Sequence, residues 1–91
     1  MDELGVDDLH GRLAGWYEEM AELSRLEPDE ALLLIARLEA EVTQVRGVAL
    51  RSMSRHVTST VSREIDPLLA LLASQAKLIG RAAALRRSRN P

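Results

Sequence analysis

The chain has 91 residues with no cysteine and no phenylalanine, and its formal net charge at pH 7 is −2. This length allows one small domain with a marginal core, and the lack of cysteine excludes disulfides and thiolate metal sites. The longest apolar run, residues 68–73, is far shorter than the ~18 residues of a membrane span, and no secretory segment is evident, so we expect a cytoplasmic protein with no membrane partner.

The first predicted helix covers about residues 6–25. Its apolar residues recur at alternating spacings of three and four, which is the pattern of one buried helix face. Asp7 and Asp8 suit the positive N-terminal end of such a helix. Trp16, the only tryptophan, lies in the middle of the apolar line. We therefore expect Trp16 to anchor the packing of this helix and to contribute to an oligomer interface.

A tight turn around residues 26–28 should lead into a second helix over about residues 29–56. Proline fits the first position of a helix, and the two acids after Pro28 favour the first turn. An apolar stripe then continues through Ala31, Ile35, Leu38, Val42, Val45, Ala49 and Met53. The next segment, residues 57–62, is rich in β-branched and hydroxyl side chains, which weaken helices. We expect a break or a kink within residues 57–67.

A third helix is predicted over about residues 60–87, with two possible starts. It can begin near Thr60 and kink at Pro67, or it can begin at Asp66, which would cap a helix that has proline in its first position. One line of apolar residues on this helix comprises Ile65, Leu68, Leu72, Ala76, Ile79 and Ala83. A second line comprises Leu71, Leu78 and Leu85, seven residues apart.

Two apolar lines on one helix are more than a neighbouring helical hairpin can cover. The pattern therefore predicts a single all-α domain over residues 1–91, built from a hairpin and a long third helix. It also predicts a homodimeric bundle, with the second apolar line and Trp16 at the interface.

Few residues of this chain suit catalysis. His10 and His56 are the only histidines, and neither belongs to a nucleophile pattern or to a repeated set of metal ligands. The helical faces carry no embedded polar residues of the kind a small helical enzyme needs. We expect no enzymatic activity, no metal, no cofactor and no small-molecule substrate.

The charges are sorted along the chain. Residues 1–45 contain twelve acids and three arginines, a net charge of −9, whereas residues 46–91 contain nine bases and two acids, a net charge of +7. Such a division predicts either a half that binds a polyanion or two halves that attract each other within or between chains. The expected phosphate contacts are Arg51, Arg55, Lys77, Arg81, Arg86 and Arg87.

Residues 38–46, LEAEVTQVR, followed by Ala49-Leu50-Arg51, resemble the helix that precedes the DNA-binding motif in many small actinobacterial helix-turn-helix regulators. This resemblance implies a DNA-binding regulator. A helix-turn-helix within residues 66–87 is one interpretation of the third helix; a continuous helix through Ser74 is favoured, since Leu69 and Ala73 stand where the motif has a small residue and a glycine.

The sequence therefore predicts a non-enzymatic regulator that contacts DNA through its basic C-terminal half. The alternative is a helical protein-interaction module, an adaptor, antagonist or nucleic-acid mimic, whose acidic first helix binds a basic partner. The two hypotheses differ in which half of the chain makes the contact.

Overall fold

The computed structural model of the protein describes residues 5–89, and every element within them is helical. Helix α1 is Val6–Ala21, extended by a 3₁₀ turn at Glu22–Arg25; α2 is Pro28–Leu50; α3 is Arg55–Arg89. The last helix is α-helical over Arg55–Thr60, π-helical over Val61–Ile65 and α-helical again over Asp66–Arg89. No strand occurs in this part of the chain, which confirms the all-α prediction.

The first two helices begin as their sequences suggest. The Asp8 carboxylate accepts the Gly5 backbone N–H at 3.2 Å, satisfying a donor that the start of α1 leaves free. Pro28 is the first residue of α2 and needs no hydrogen-bond acceptor there. The predicted turn at residues 26–28 is present.

The break between α2 and α3 lies earlier than expected. α2 ends at Leu50, not near His56, and the connection is residues 51–54, so that Met53 is fully exposed instead of lying on the apolar stripe of α2. Ser54 starts the new helix, because its extended backbone and its hydroxyl, which accepts the Val57 N–H at 3.4 Å, form an N-cap.

The expected break or kink within residues 57–67 is therefore not a break, since α3 runs through all of them; the irregularity in this range is the π-helical turn at Val61–Ile65. The hydroxyl groups do not compete with the helix as expected: the Thr60 hydroxyl donates to the His56 carbonyl at 2.9 Å, a bond made within the helix. The β-branched Val57 and Val61 turn into the core and are buried. Apolar burial outweighs their modest loss of helix propensity.

Pro67 neither starts nor ends a helix. Proline cannot donate to the carbonyl of residue 63, and in a regular α-helix its ring would clash with that carbonyl. The chain avoids the clash with the wider π-helical turn at Val61–Ile65, where the Asp66 N–H bonds to the Val61 carbonyl five residues back. Asp66 has helical angles of −60° and −45° and is not an N-cap. It opens the second α-helical segment, whereas the continuous helix begins before both expected starts, Thr60 and Asp66, at Arg55.

The helices form a rod of 55 × 19 × 17 Å. α2 and α3 run antiparallel, as two ion pairs near opposite ends show: Arg46 with Asp66, and Glu27 with Arg86. α1 lies along one side of this pair. The core cluster comprises Leu9, Leu13, Trp16, Ile35, Leu38, Val42, Val45, Ala49, Val57, Val61, Ile65, Leu68 and Leu72. It contains most of the apolar residues predicted to be buried.

Trp16 offers a direct test of this core, because its neighbour Tyr17 provides a matched control. Trp16 is 6% exposed, whereas Tyr17 is 48% exposed. Truncating a buried aromatic side chain costs about 3–5 kcal/mol, so we expect Trp16→Ala to lower the free energy of unfolding by that amount. Tyr17→Ala should leave it nearly unchanged. Urea denaturation followed by circular dichroism measures both, and equal effects would contradict the packing described.

The new start of α3 is also testable. Ser54→Ala removes the N-cap acceptor and should lower the free energy of unfolding by about 1 kcal/mol. Ser59→Ala is the control, because Ser59 is exposed in the interior of the same helix. The comparison uses thermal unfolding of each variant. If Ser59→Ala were the more damaging change, the helix start at Ser54 would be refuted.

Candidate interaction surface

Three leucines of α3 form an uncovered line, here called the leucine stripe: Leu71, Leu78 and Leu85. Their exposed fractions are 40%, 58% and 62%. A spacing of seven residues is close to two helical turns, so the three side chains lie on one flank of the helix. Large apolar side chains in such a row are uncommon on the surface of a soluble monomer.

The geometry of α3 explains why the stripe stays open. Leu71 directly precedes the buried Leu72, and Leu78 directly precedes the half-buried Ile79. Consecutive residues point about 100° apart around an α-helix, so the residues packed against α2 and the leucine stripe occupy different faces. Of the segment Asp66–Arg89, only Leu68, Leu72 and Ala83 are buried. The remaining apolar surface of this segment is exposed or only partly covered.

The apolar character of α3 extends further than its longest apolar run suggested. An 18-residue window of α3 has a mean hydropathy of 1.4, enough by length and composition to cross a membrane, although only 17% of that window is buried. The expectation of a cytoplasmic protein with no membrane partner stays a prediction. Core helices of soluble proteins can have the same composition, so this finding alone does not place the chain in a bilayer. It does show that the most apolar stretch of α3 is poorly covered within the described chain.

The fourth residue predicted at an oligomer interface lies elsewhere. Trp16 is 6% exposed and belongs to the core of its own chain. Its indole therefore has almost no surface left for a second chain. Of the predicted interface residues, only the leucine stripe is available to a partner.

Two of the six predicted phosphate contacts are engaged in ion pairs within the chain. Arg86 donates to Glu27 at 2.6 Å, and Arg87 donates to Asp29 at 3.2 Å. The hydrogen bond with Glu27, together with its negative charge, raises the pKa of Arg86 above the ordinary arginine value. These pairs join the acidic start of α2 to the basic end of α3. They follow from the sorted charges once the antiparallel arrangement of the two helices is known.

The other four predicted contacts lie in two separate places. Arg51 and Arg55 flank the connection between α2 and α3, and the Arg51 guanidinium donates to the Gly47 carbonyl at 3.2 Å. Lys77 and Arg81 are exposed near the middle of α3. Because α3 rises about 1.5 Å per residue, Lys77 lies roughly 33 Å along the helix from Arg55. The six residues therefore do not form one compact basic patch.

The two histidines, distant in sequence, line one surface pocket between α1 and α3. His10 Nε2 is 3.1 Å from Glu64 Oε2, and His56, Ser59 and Arg63 lie on the wall of the same pocket. The pair between His10 and Glu64 links α1 to the π-helical turn of α3. Across residues 5–89, no three His, Cys, Asp or Glu side chains are grouped so as to hold a metal ion. Sequence spacing did not indicate this pocket, because its residues come from two helices.

The third helix is continuous where a helix-turn-helix would need its turn. Residues 74–76 lie inside the α-helical segment Asp66–Arg89, so the favoured interpretation of an unbroken helix through Ser74 is confirmed. The alternative interpretation of residues 66–87 as a helix-turn-helix was wrong.

Comparison with known proteins does not assign the chain to a family. No family model, curated protein or solved structure matches the chain. The resemblance of residues 38–51 to a helix of actinobacterial regulators stays a prediction. Any functional argument therefore depends on the surface of the molecule itself.

Proposed function

We propose that this protein is a non-enzymatic helical interaction module that binds an α-helix of a protein partner through the leucine stripe. The observation that carries the proposal is the exposure of Leu71, Leu78 and Leu85 on α3, whose apolar 18-residue window is mostly unburied. Covering a half-exposed leucine stabilises a complex by about 1 kcal/mol, and rows of leucines at heptad spacing bind other helices by side-chain interdigitation. The docking surface is thus α3, and not the acidic α1 of the earlier interaction hypothesis.

The DNA-binding hypothesis has less support than this proposal. Arg86 and Arg87 would have to leave their partners Glu27 and Asp29 before contacting phosphates. The acids of α1 and α2 would also repel a polyanion that approached the side of the rod. Arg86 and Arg87 instead join α3 to the acidic start of α2 at one end of the molecule.

Position-specific photo-cross-linking tests the proposal. A photoreactive residue in place of Leu78 should form adducts with a polypeptide, either another protein or a second copy, in an extract of cells that express the chain. The same residue in place of Leu33 is the control, because Leu33 is 73% exposed on α2 and lies outside the leucine stripe. Mass spectrometry identifies the adducts. Equal labelling at both positions, or none at Leu78, would contradict the proposal.

Electrophoretic shift with duplex DNA distinguishes the two functions. We expect no shift with a random-sequence duplex even at low salt. A DNA-binding protein would instead bind, and its log affinity would fall with log salt at a slope of about −0.9 per phosphate contact. If such a slope appeared and Lys77→Ala with Arg81→Ala reduced it, the basic half would be a nucleic-acid surface and the interaction-module proposal would fail.

A further inference from the structure

We infer that the partner helix is α3 of a second copy of this chain, running antiparallel, with Leu78 beside the twofold axis. This inference rests on the proposed function, because it names the occupant of the leucine stripe. It is argued from the spacing of the stripe and from the charges at its two ends.

The spacing makes the stripe complementary to itself. Leu71 and Leu85 are each seven residues from Leu78. When two copies lie antiparallel about Leu78, each Leu71 meets the partner's Leu85, and the two copies of Leu78 meet at the axis. A twofold interface requires such a match, in which one surface patch contacts its own copy. Three leucine contacts then cover the exposed row on both chains.

The charges at the two ends of the stripe select the antiparallel direction. Glu64 lies seven residues before Leu71, inside the π-helical turn, and Arg89 lies one turn beyond Leu85. In the antiparallel register, Arg89 of one copy reaches within about 4.5 Å along the axis of Glu64 on the other, a gap that an arginine side chain can span. A parallel pair would place each charge beside its own copy, where the two would repel.

Both end residues are available for this contact. Glu64 is half-exposed, and its carboxylate has a second oxygen besides the one 3.1 Å from His10. Arg89 is exposed and has no ion pair with any residue in the 5–89 range. Lys77 and Arg81 flank the stripe on its solvent side. The antiparallel register brings Lys77 of one copy within about 3 Å along the axis of Arg81 on the other, and a parallel register aligns each base with its own copy, so these two bases do not select a direction. The charges at the two ends of the stripe, Glu64 and Arg89, therefore favour one partner and one direction.

Disulfide trapping tests both the identity of the partner and the direction of the pairing, since the chain has no cysteine of its own. Under mild oxidation, Leu78→Cys should give a disulfide-linked dimer. Leu71→Cys and Leu85→Cys should each stay unlinked alone, because in this register identical positions lie about 21 Å apart, beyond the roughly 4.4–6.8 Å that a disulfide allows between Cα atoms. A mixture of Leu71→Cys and Leu85→Cys should cross-link. Leu33→Cys is the control and should not.

Light scattering of the parent chain at micromolar concentration should give twice the monomer mass. Disulfides at all three positions alone would indicate a parallel pair, which overturns the inference while the interaction module stands. A monomer with no disulfide at any position would also overturn the inference. The proposed function would then survive only if the photo-cross-linked adducts at Leu78 contained a different protein. Failure of the dimer inference and failure of the proposed function are therefore distinguishable.

A bilayer is the competing occupant of the stripe. If the parent chain floats with vesicles of phosphatidylcholine and phosphatidylglycerol as a monomer, and Leu78→Gln abolishes the flotation, the stripe binds lipid and the inference is overturned. Flotation that is absent, or the same for Leu78→Gln and Leu33→Gln, supports the protein partner.

Charge reversal tests the ends of the stripe separately from its leucines. Arg89→Glu should weaken the dimer severalfold in sedimentation equilibrium, because each of its two contacts becomes a repulsion. Adding Glu64→Lys should restore the parental dissociation constant. A double variant that is weaker than Arg89→Glu would overturn the antiparallel register.

Discussion

The apolar contact between α2 and α3 is the interaction on which the other features depend. It runs from Ala31 beside the end of α3 to Ala49 beside its beginning, and it is built from aliphatic side chains. Without phenylalanine, the two helices fill this contact with leucine, isoleucine, valine and alanine, and α1 adds Trp16 from one side. Three helices of this size leave part of the longest one uncovered, and that remainder is the leucine stripe.

Several ion pairs between helices bear on how the helices are aligned. Arg86 and Arg87 pair with acids at the start of α2, while Arg37 of α2 donates to Glu19 of α1 at 2.8 Å. Such exposed pairs add little stability in water, but a shifted register would separate them. Their contribution is therefore to select one alignment of helices whose apolar faces alone would tolerate several.

Much of the fold could be predicted from the sequence, because helical periodicity reports directly which residues face a core. The turn at residues 26–28, the burial of Trp16 and most of the core line of α3 follow from it. The break at residues 51–54 could not be predicted in this way. The hydroxyl of Ser54 caps the new helix, and the nearby serines and threonines look equivalent to it in sequence. The pairs of Arg86 and Arg87 required the alignment of two helices, which no single segment encodes.

The π-helical turn at Val61–Ile65 has a consequence for the angular phase of α3. A π-helical turn holds one more residue than an α-helical turn, so it offsets the residues after it by about 100° relative to an uninterrupted α-helix. The segment before the turn faces α1, and the segment after it presents the leucine stripe. A chain with one residue deleted at this turn would keep its three helices, yet the stripe would point in another direction. The number of residues in this single turn thus determines the direction in which the leucine stripe faces.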